Sequence, residues 1–368
     1  MSNNILVLIN DISGLYSFRK EVIKAIIGAG YEVFISEPDD DEFVKYFEEN
    51  GCHIIKTVFN RRGMNPIADF KLMLKYVKII KTVKPRVVLT YTIKPNVYGG
   101  LACRITRTPQ IANVTGLGDA IENGGWLKTL TVFLYRLGLG GKSKRAFFQN
   151  RGNQETCIRL GIADKNSMVL PGSGVNLEYH TCQKYPENEG IVRFLFIGRL
   201  LKDKGIEEYF EMAKVIKEKY PKAEFRVLGP VEGEYQHILE ELEKSGTVKY
   251  LGSTSDVRTY IGAVECTVLP SYHEGLSNVN LESSANGRPV ITTDVPGCRE
   301  TVDNGVTGFL VKAKDSSDLI EKVNSFINLP YEKKVEMGLA ARKKVEREFD
   351  RQLVVDAYLS EIGKIAHV

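Results

Sequence analysis

Short apolar runs alternate with helix-period segments along this chain, and the whole alternation starts twice. Residues 5–10 form an apolar run, followed by Asp11-Ile12-Ser13-Gly14 and a helix-period segment from Tyr16 to Gly28. Further runs stand at Tyr31–Ser36, Val87–Tyr91, Gln110–Val114 and Arg145–Gln149, with helical segments between them. Strands that alternate with helices build a parallel, doubly wound sheet. The pattern restarts at Arg193–Gly198, continues through a helix-period stretch at Ile206–Tyr220 that Pro221 stops, and adds runs at Glu224–Leu228, Val248–Leu251, Cys266–Pro270, Pro289–Thr292 and Gly308–Val311. Gln183–Gly190, polar and carrying Pro186, reads as a linker. The expected fold class is α/β, with two Rossmann-like parallel-sheet domains facing across a cleft, the first over 1–182 and the second over 183–350. In open α/β sheets ligands bind beyond the carboxyl ends of the strands, so the site is expected in that cleft.

The chain has 368 residues, 43% apolar and 26% charged, which suffices for two separately buried cores. It contains no run of the roughly 18 apolar residues that crossing a bilayer requires. Its start, Met1-Ser2-Asn3-Asn4 before Ile5–Ile9, lacks the basic region and cleavage site of a signal peptide, so a cytoplasmic protein is expected. The six cysteines are scattered without a C-x-x-C pair and read as buried, reduced thiols; the five histidines have no metal-ligand spacing. Charge is uneven. Residues 1–180 hold 24 Lys and Arg against 16 Asp and Glu, a net of +8; of the totals of 50 and 46 this leaves 26 against 30, a net of −4. A basic first half implies an anionic partner there.

The most informative stretch is Ser271-Tyr272-His273-Glu274-Gly275-Leu276-Ser277-Asn278-Val279-Asn280-Leu281-Glu282. It follows a strand run and opens a helix. Gly275 permits close approach of a ligand to the backbone, and the amides of Leu276, Ser277 and Asn278 would lie free at a helix N-terminus, which is an anion site. Glu274 and Glu282 flank that turn, and a carboxylate binds vicinal hydroxyls well because it accepts two hydrogen bonds. The plain alternative is a helix cap with two solvated acids. A second element is Gly198-Arg199-Leu200-Leu201-Lys202-Asp203-Lys204-Gly205, with Arg199 at a strand end and Lys204 at the next helix start. Two cations beside a diphosphate would stabilise charge developing on a leaving group.

Together these two stretches, G-R-x-x-x-x-K-G and then E-G-x-x-x-x-x-x-E, resemble family 4 of the retaining glycosyltransferases, which have the GT-B fold. The resemblance extends over essentially the whole chain. It implies that Arg199 and Lys204 hold the donor diphosphate, that Glu274 meets the donor sugar and Glu282 the ribose, and that Gly14 faces the diphosphate from the first domain. It further implies that Gly275, Leu276, Ser277 and Asn278 line the donor site, and that Ser253–Asp256 and Leu228-Gly229-Pro230 shape the base pocket. Catalysis is assigned to Glu274, Arg199 and Lys204, with no metal and no cofactor beyond a UDP-sugar as donor substrate. Segment 351–368 is expected to form a helix crossing back to the first domain.

Thr90–Asn96 and Asn113–Gly118 resemble the subgroup that elongates sugars on polyprenyl diphosphate carriers for capsule, O-antigen and N-linked glycans. That resemblance implies a lipid-linked sugar acceptor, with Lys94, Asn96 and Thr115 as acceptor-binding residues. Ile93 stands where many members carry a histidine. Lys71, Lys75 and Lys78 recur at helical spacing, with Leu74, Val77 and Ile80 read onto the other side, and Trp126–Arg136 gives a similar signal. A basic amphipathic helix suits an anionic membrane, so peripheral contact with the inner face of the cell membrane is expected. Asp39-x-Asp41 mimics a metal-binding pair but follows the second strand rather than a donor site. Nothing in the sequence resembles a nucleic-acid-binding motif. The competing readings are a nucleotide-sugar 2-epimerase of the same architecture, a family 4 transferase with a soluble acceptor, and a binding subunit without catalysis.

Overall fold

The structure is a computed structural model that describes residues 2–37, 42–59, 65–116, 125–140, 144–165, 167–233 and 235–366. It divides into two compact units. One comprises the residues up to Ser173 together with those from Gln352 on; the other is Gly174–Arg351. The expected pair Asp39 and Asp41, and Leu117 and Gly118, lie outside the described residues.

The first unit is built on a seven-stranded parallel sheet: β1 (Asn4–Leu8), β2 (Glu32–Glu37), β3 (Cys52–Lys56), β4 (Val87–Tyr91), β5 (Gln110–Val114), β6 (Lys144–Phe148) and β7 (Met168–Val169), in the order β3-β2-β1-β4-β5-β6-β7. The central strands β1, β4 and β5 are almost wholly buried, as continuous apolar runs in a sheet covered on both faces must be. One face packs on the helix Ile12–Gly28 and on Val354, Tyr358 and Ile362 of the last helix. The other packs on the helix Pro66–Val83 and on Ala102 and Cys103. Tyr358 is anchored in the interior, accepting from the Tyr91 hydroxyl at 3.0 Å and donating to Asn113 Oδ1, and Glu361 pairs with Arg145 at 3.1 Å.

The second unit repeats the plan with six parallel strands, β8 (Arg193–Ile197), β9 (Glu224–Leu228), β10 (Lys249–Tyr250), β11 (Cys266–Leu269), β12 (Val290–Thr293) and β13 (Gly308–Val311), ordered β10-β9-β8-β11-β12-β13. Its core is aromatic: Phe194 stacks on Phe225 at 5.5 Å, and Tyr209 and Phe326 close around them. Each such ring contributes about 1.5–3 kcal/mol by burial. Gly174–Cys182, read from sequence with the first half, belongs to this unit because Val175 packs against Leu276, Leu281, Val345 and Phe349 and bridges to Asp350. The start of the expected linker is likewise tied down. Buried Arg288 donates to the carbonyls of Gln183 and Lys184, and the Tyr185 hydroxyl donates to Glu265 O. Of the cysteines, Cys182 is exposed and the other five are buried, Cys182 thus departing from the expectation.

Candidate active site

In the second unit the strand order reverses beside β8, whose neighbours are β9 and β11. Both sequence motifs leave the carboxyl ends of β8 and β11, where such a sheet opens to ligands. After β8 the chain makes a tight turn at Lys202–Lys204, and Gly205 starts the helix Ile206–Lys219. Gly205 has φ +73°, and a Cβ there would lie 2.1 Å from Pro270 O, so only glycine lets the two loops touch. Tyr272 N donates to Asp203 O at 2.8 Å and Ser271 Oγ donates to it at 3.2 Å, lacing the loops together. As a result Lys204 Nζ sits 2.7 Å from Glu274 Oε1, both side chains mostly withdrawn from water. Arg199 is not drawn into this pair. It is half exposed and pairs weakly with Glu232 at 3.5 Å.

The turn after Glu274 is braced from behind by Gly297, a residue that sequence reading missed. Gly297 has φ +86°, and a Cβ on it would lie 2.3 Å from Glu274 O. Its carbonyl accepts from Ser277 N at 2.8 Å. That bond corrects one expectation, because the Ser277 amide is committed to the fold and is not free for an anion. Ser277 instead caps the helix Asn278–Ala285, its Oγ accepting from Asn280 N at 3.3 Å. The amides of Leu276 and Asn278 have no acceptor among the described residues, so two of the three expected donors remain.

Glu282 is half-buried on this helix, and its carboxylate has no hydrogen-bond partner among the described residues. Burial pushes its pKa from 4.5 up to about 7; Asp256 adds to the rise and Arg351 opposes it. Asp256 itself is held at about 2, chiefly by hydrogen bonds from Arg258, whose guanidinium lies 3.7 Å from the centre of the Tyr179 ring. Buried His180 stands among the same charges, with its pKa lowered to about 4 by burial first and then by Arg351 and Arg258. The loops expected to shape a base pocket meet here: Gly229 N donates to Gly252 O at 2.8 Å, and the Asp256 turn follows. Arg351, His180 and Tyr179 carry no motif and are placed only by the tertiary fold.

The first unit treats its expected site residues differently. Gly14 lies inside the first turn of the helix Ile12–Gly28 rather than in a loop, because Asp11 caps that helix through Ser13 N. Lys94 is not a free lysine. Its Nζ lies 2.7 Å from Asp69 Oδ1, and Asp69 also accepts from the Tyr98 hydroxyl at 3.1 Å, so the cation is neutralised inside the fold. Asn96 is fully buried, accepting from Thr90 Oγ1 at 2.7 Å and donating to Asn113 O at 2.8 Å. It locks β4 to β5 and is not presented to a ligand. Thr115 does line a shallow groove, with Arg19, Asn113, Gln149 and Gly172.

A fold of two such units, the second carrying both motifs at its switch point, defines a GT-B glycosyltransferase, and family comparison agrees. Residues 4–150 match the Glycosyl transferase 4-like model and residues 181–344 the Glycosyl transferases group 1 model. The chain belongs to this glycosyltransferase family. It is 29% identical to the Campylobacter jejuni N,N'-diacetylbacillosaminyl-diphospho-undecaprenol alpha-1,3-N-acetylgalactosaminyltransferase, covering 96% of each chain. It is 27% identical to the Staphylococcus aureus capsular polysaccharide biosynthesis glycosyltransferase CapM, over 88% of this chain and 87% of that one. It is 26% identical to the Escherichia coli UDP-Gal:alpha-D-GlcNAc-diphosphoundecaprenol alpha-1,3-galactosyltransferase, over 73% and 71%. Among solved structures, Anabaena Alr3699/HepE in complex with UDP superposes with a TM-score of 0.79 at 17% identity over both whole chains. A Rickettsia africae glycosyltransferase does so at 0.78 and 19% over 99% of each. No helix among the described residues is long and apolar enough to cross a membrane.

Proposed function

We propose that this glycosyltransferase moves a hexose or N-acetylhexosamine from a UDP-sugar to a polyprenyl-diphospho-sugar, with retention at the anomeric carbon and without a metal. The observation that carries the reading is the grouping of the Lys204–Glu274 pair with an unpartnered, desolvated Glu282 around one helix N-terminus. A half-buried carboxylate given no donor is poised for hydroxyl groups, and a ribose supplies two. The amides of Leu276 and Asn278, with Lys204, meet the diphosphate. Arg199 joins them at little cost, since its exposed pair with Glu232 is weak. Glu274, released from Lys204 as the cation turns to phosphate, accepts from the sugar hydroxyls. The acceptor hydroxyl attacks on the face that the diphosphate leaves: its oxygen bonds to the anomeric carbon, the bond from that carbon to the diphosphate oxygen breaks, and the proton passes to the departing diphosphate. Lys204 and Arg199 balance the charge that collects there, the role a metal would otherwise fill. Thr115 contacts the acceptor, while Asn96 holds the β4 and β5 ends that present it and Lys94 ties the segment after β4 to Asp69. Two of the relatives act on undecaprenol-linked sugars by name, which supports a lipid-linked acceptor and a peripheral place on the inner membrane face.

The test is transfer from UDP-hexoses and UDP-N-acetylhexosamines to a short-chain prenyl-diphospho-sugar, with and without EDTA, and with anomeric configuration read by NMR. A retained α-linked product insensitive to EDTA is expected. An inverted product, dependence on added metal, or conversion of the donor without any acceptor would refute the respective part.

A further inference from the structure

In the first unit one charge sits where the fold calls for an apolar side chain. The helix Ile12–Gly28 turns Leu15, Val22, Ile23 and Ile26 into the core, and position 19 lies on the same stripe, one turn from Leu15 and one from Ile23. The residue there is Arg19, which is 4% exposed. A guanidinium keeps its charge even when buried, and it carries five N–H donors. Among the described residues it donates to Phe18 O at 2.9 Å and to Gly172 O at 3.4 Å, while Nε has no partner. No carboxylate pairs with Arg19 among the described residues. The neighbouring acid is a phenol: the centre of the Tyr91 ring lies 6.0 Å from the guanidinium carbon. Burial first, and then Tyr358, push the Tyr91 pKa well above its ordinary value, and Arg19 offsets that only in part. The phenol stays neutral, so the cation stays uncompensated.

A buried charge without a counter-charge is costly, and packing alone would favour an apolar residue of similar size. The surroundings of Arg19 show what would repay it. Arg19 lines the groove with Asn113, Thr115, Gln149 and Gly172, at the carboxyl ends of β5, β6 and β7, the edge at which a parallel sheet takes its ligands. Asn113 is committed to the fold, its Oδ1 accepting from the Tyr358 hydroxyl and its Nδ2 donating to Thr90 O at 3.0 Å. Thr115 and Gln149 make no side-chain hydrogen bond among the described residues. The groove thus combines a fixed cation with neutral donors and no carboxylate. Its planar fork matches an oxyanion, and phosphate oxygens best. Lys94, expected from sequence to meet the acceptor, is spent on Asp69 at 2.7 Å.

We propose that Arg19 binds the diphosphate of the acceptor, with Thr115 beside it, and so selects acceptors that carry one. The choice of ligand rests on the lipid-linked acceptor reading; the need for an anion rests on Arg19 alone. The donor also carries a diphosphate, and the experiment separates the two sources. Calorimetry of the full chain with geranyl diphosphate, geraniol and UDP is run on the wild type, Arg19→Met and Arg19→Lys, alongside melting curves and transfer kinetics. Arg19→Met keeps the shape and removes the charge. It is expected to lose at least about tenfold in geranyl diphosphate affinity and to raise the acceptor KM by as much, with UDP affinity and donor KM unchanged. It should melt no lower than the wild type, because an unpaired buried charge has gone; a purely structural arginine would lower the melting temperature and leave the acceptor KM alone. Arg19→Lys keeps the charge without the fork and binds geranyl diphosphate more weakly than the wild type. Geraniol, lacking the diphosphate, does not distinguish the three proteins. Wild-type affinity for geranyl diphosphate in Arg19→Met, or in Arg19→Lys where Arg19→Met does not fold, overturns the proposal. So does a parallel loss of UDP affinity, since the guanidinium would then serve the donor. Arg19-dependent binding of geranyl diphosphate without sugar transfer to any prenyl-diphospho-sugar supports the anion site and counts against the transfer reading.

Discussion

Replacing Glu282 by Gln should make the protein more stable and a worse binder of UDP at once. The wild-type carboxyl titrates near 4.5 when unfolded and at about 7 in the fold, because burial disfavours its charged form. The folded state therefore binds the proton more tightly. Between the two values stability falls as pH rises, and above about 7 the full penalty stands, roughly 3 kcal/mol for a rise from 4.5 to about 7. Gln keeps the shape and never ionises, so its advantage is nil below the unfolded value, grows through that window and levels off above it. Denaturant titrations of both proteins at about pH 4 and about pH 8 measure this. Hydroxyl groups of a nucleotide favour the ionised form, so wild-type affinity for UDP should strengthen as pH rises toward 7, whereas the Gln variant should show no such trend. Exchanging charge-assisted for neutral hydrogen bonds should cost the variant about 1–2 kcal/mol of UDP affinity, tenfold or thereabouts. A Gln variant no more stable at about pH 8, or equally stabilised at both pH values, would show that the carboxylate is not desolvated. Undiminished UDP affinity would show that it does not meet the ribose.

The loop braces and the ion pair give further tests. Gly297→Ala would press a Cβ against Glu274 O and strain a positive φ, so UDP affinity should fall at least about tenfold and stability by about 1–3 kcal/mol; calorimetry with UDP checks both. Lys204→Ala leaves Glu274 without its cation beside the donor site, so the single variant should lose more donor affinity than Lys204→Ala/Glu274→Ala, and a double-mutant cycle in UDP-sugar binding reads the coupling. Arg199→Ala, which breaks only an exposed pair at 3.5 Å, should leave stability within about 0.5 kcal/mol while lowering the transfer rate.

What the sequence disclosed follows from where information is local. Phe194–Ile197 and Val87–Tyr91 are legible as strands because central parallel strands are buried on both faces and need unbroken apolar runs. Cys52-His53-Ile54-Ile55-Lys56 escaped because β3 is an edge strand, half-buried and carrying polar residues, and β7 is only two residues long. The donor motifs were readable for a similar reason, since a glycine, a cap and two carboxylates fall within one turn and one helix. The pairing that gives them chemistry was not, because Lys204 and Glu274 lie 70 residues apart and meet only through the Gly205–Pro270 contact. The acceptor side shows the converse error. Lys94 and Asn96 follow a strand end, where ligand contacts are common, but no local signal reveals that Asp69 takes the lysine or that Asn113 O takes the amide. A polar residue at such a position has to satisfy the fold before it can serve a ligand, and burial decides which it does. Leu74 is the instructive case, since at 3.6 residues per turn it lies only about 40° from Lys78. Period alone placed it with the lysines, beside which it stands 49% exposed; the habit of assigning every leucine to a core moved it away.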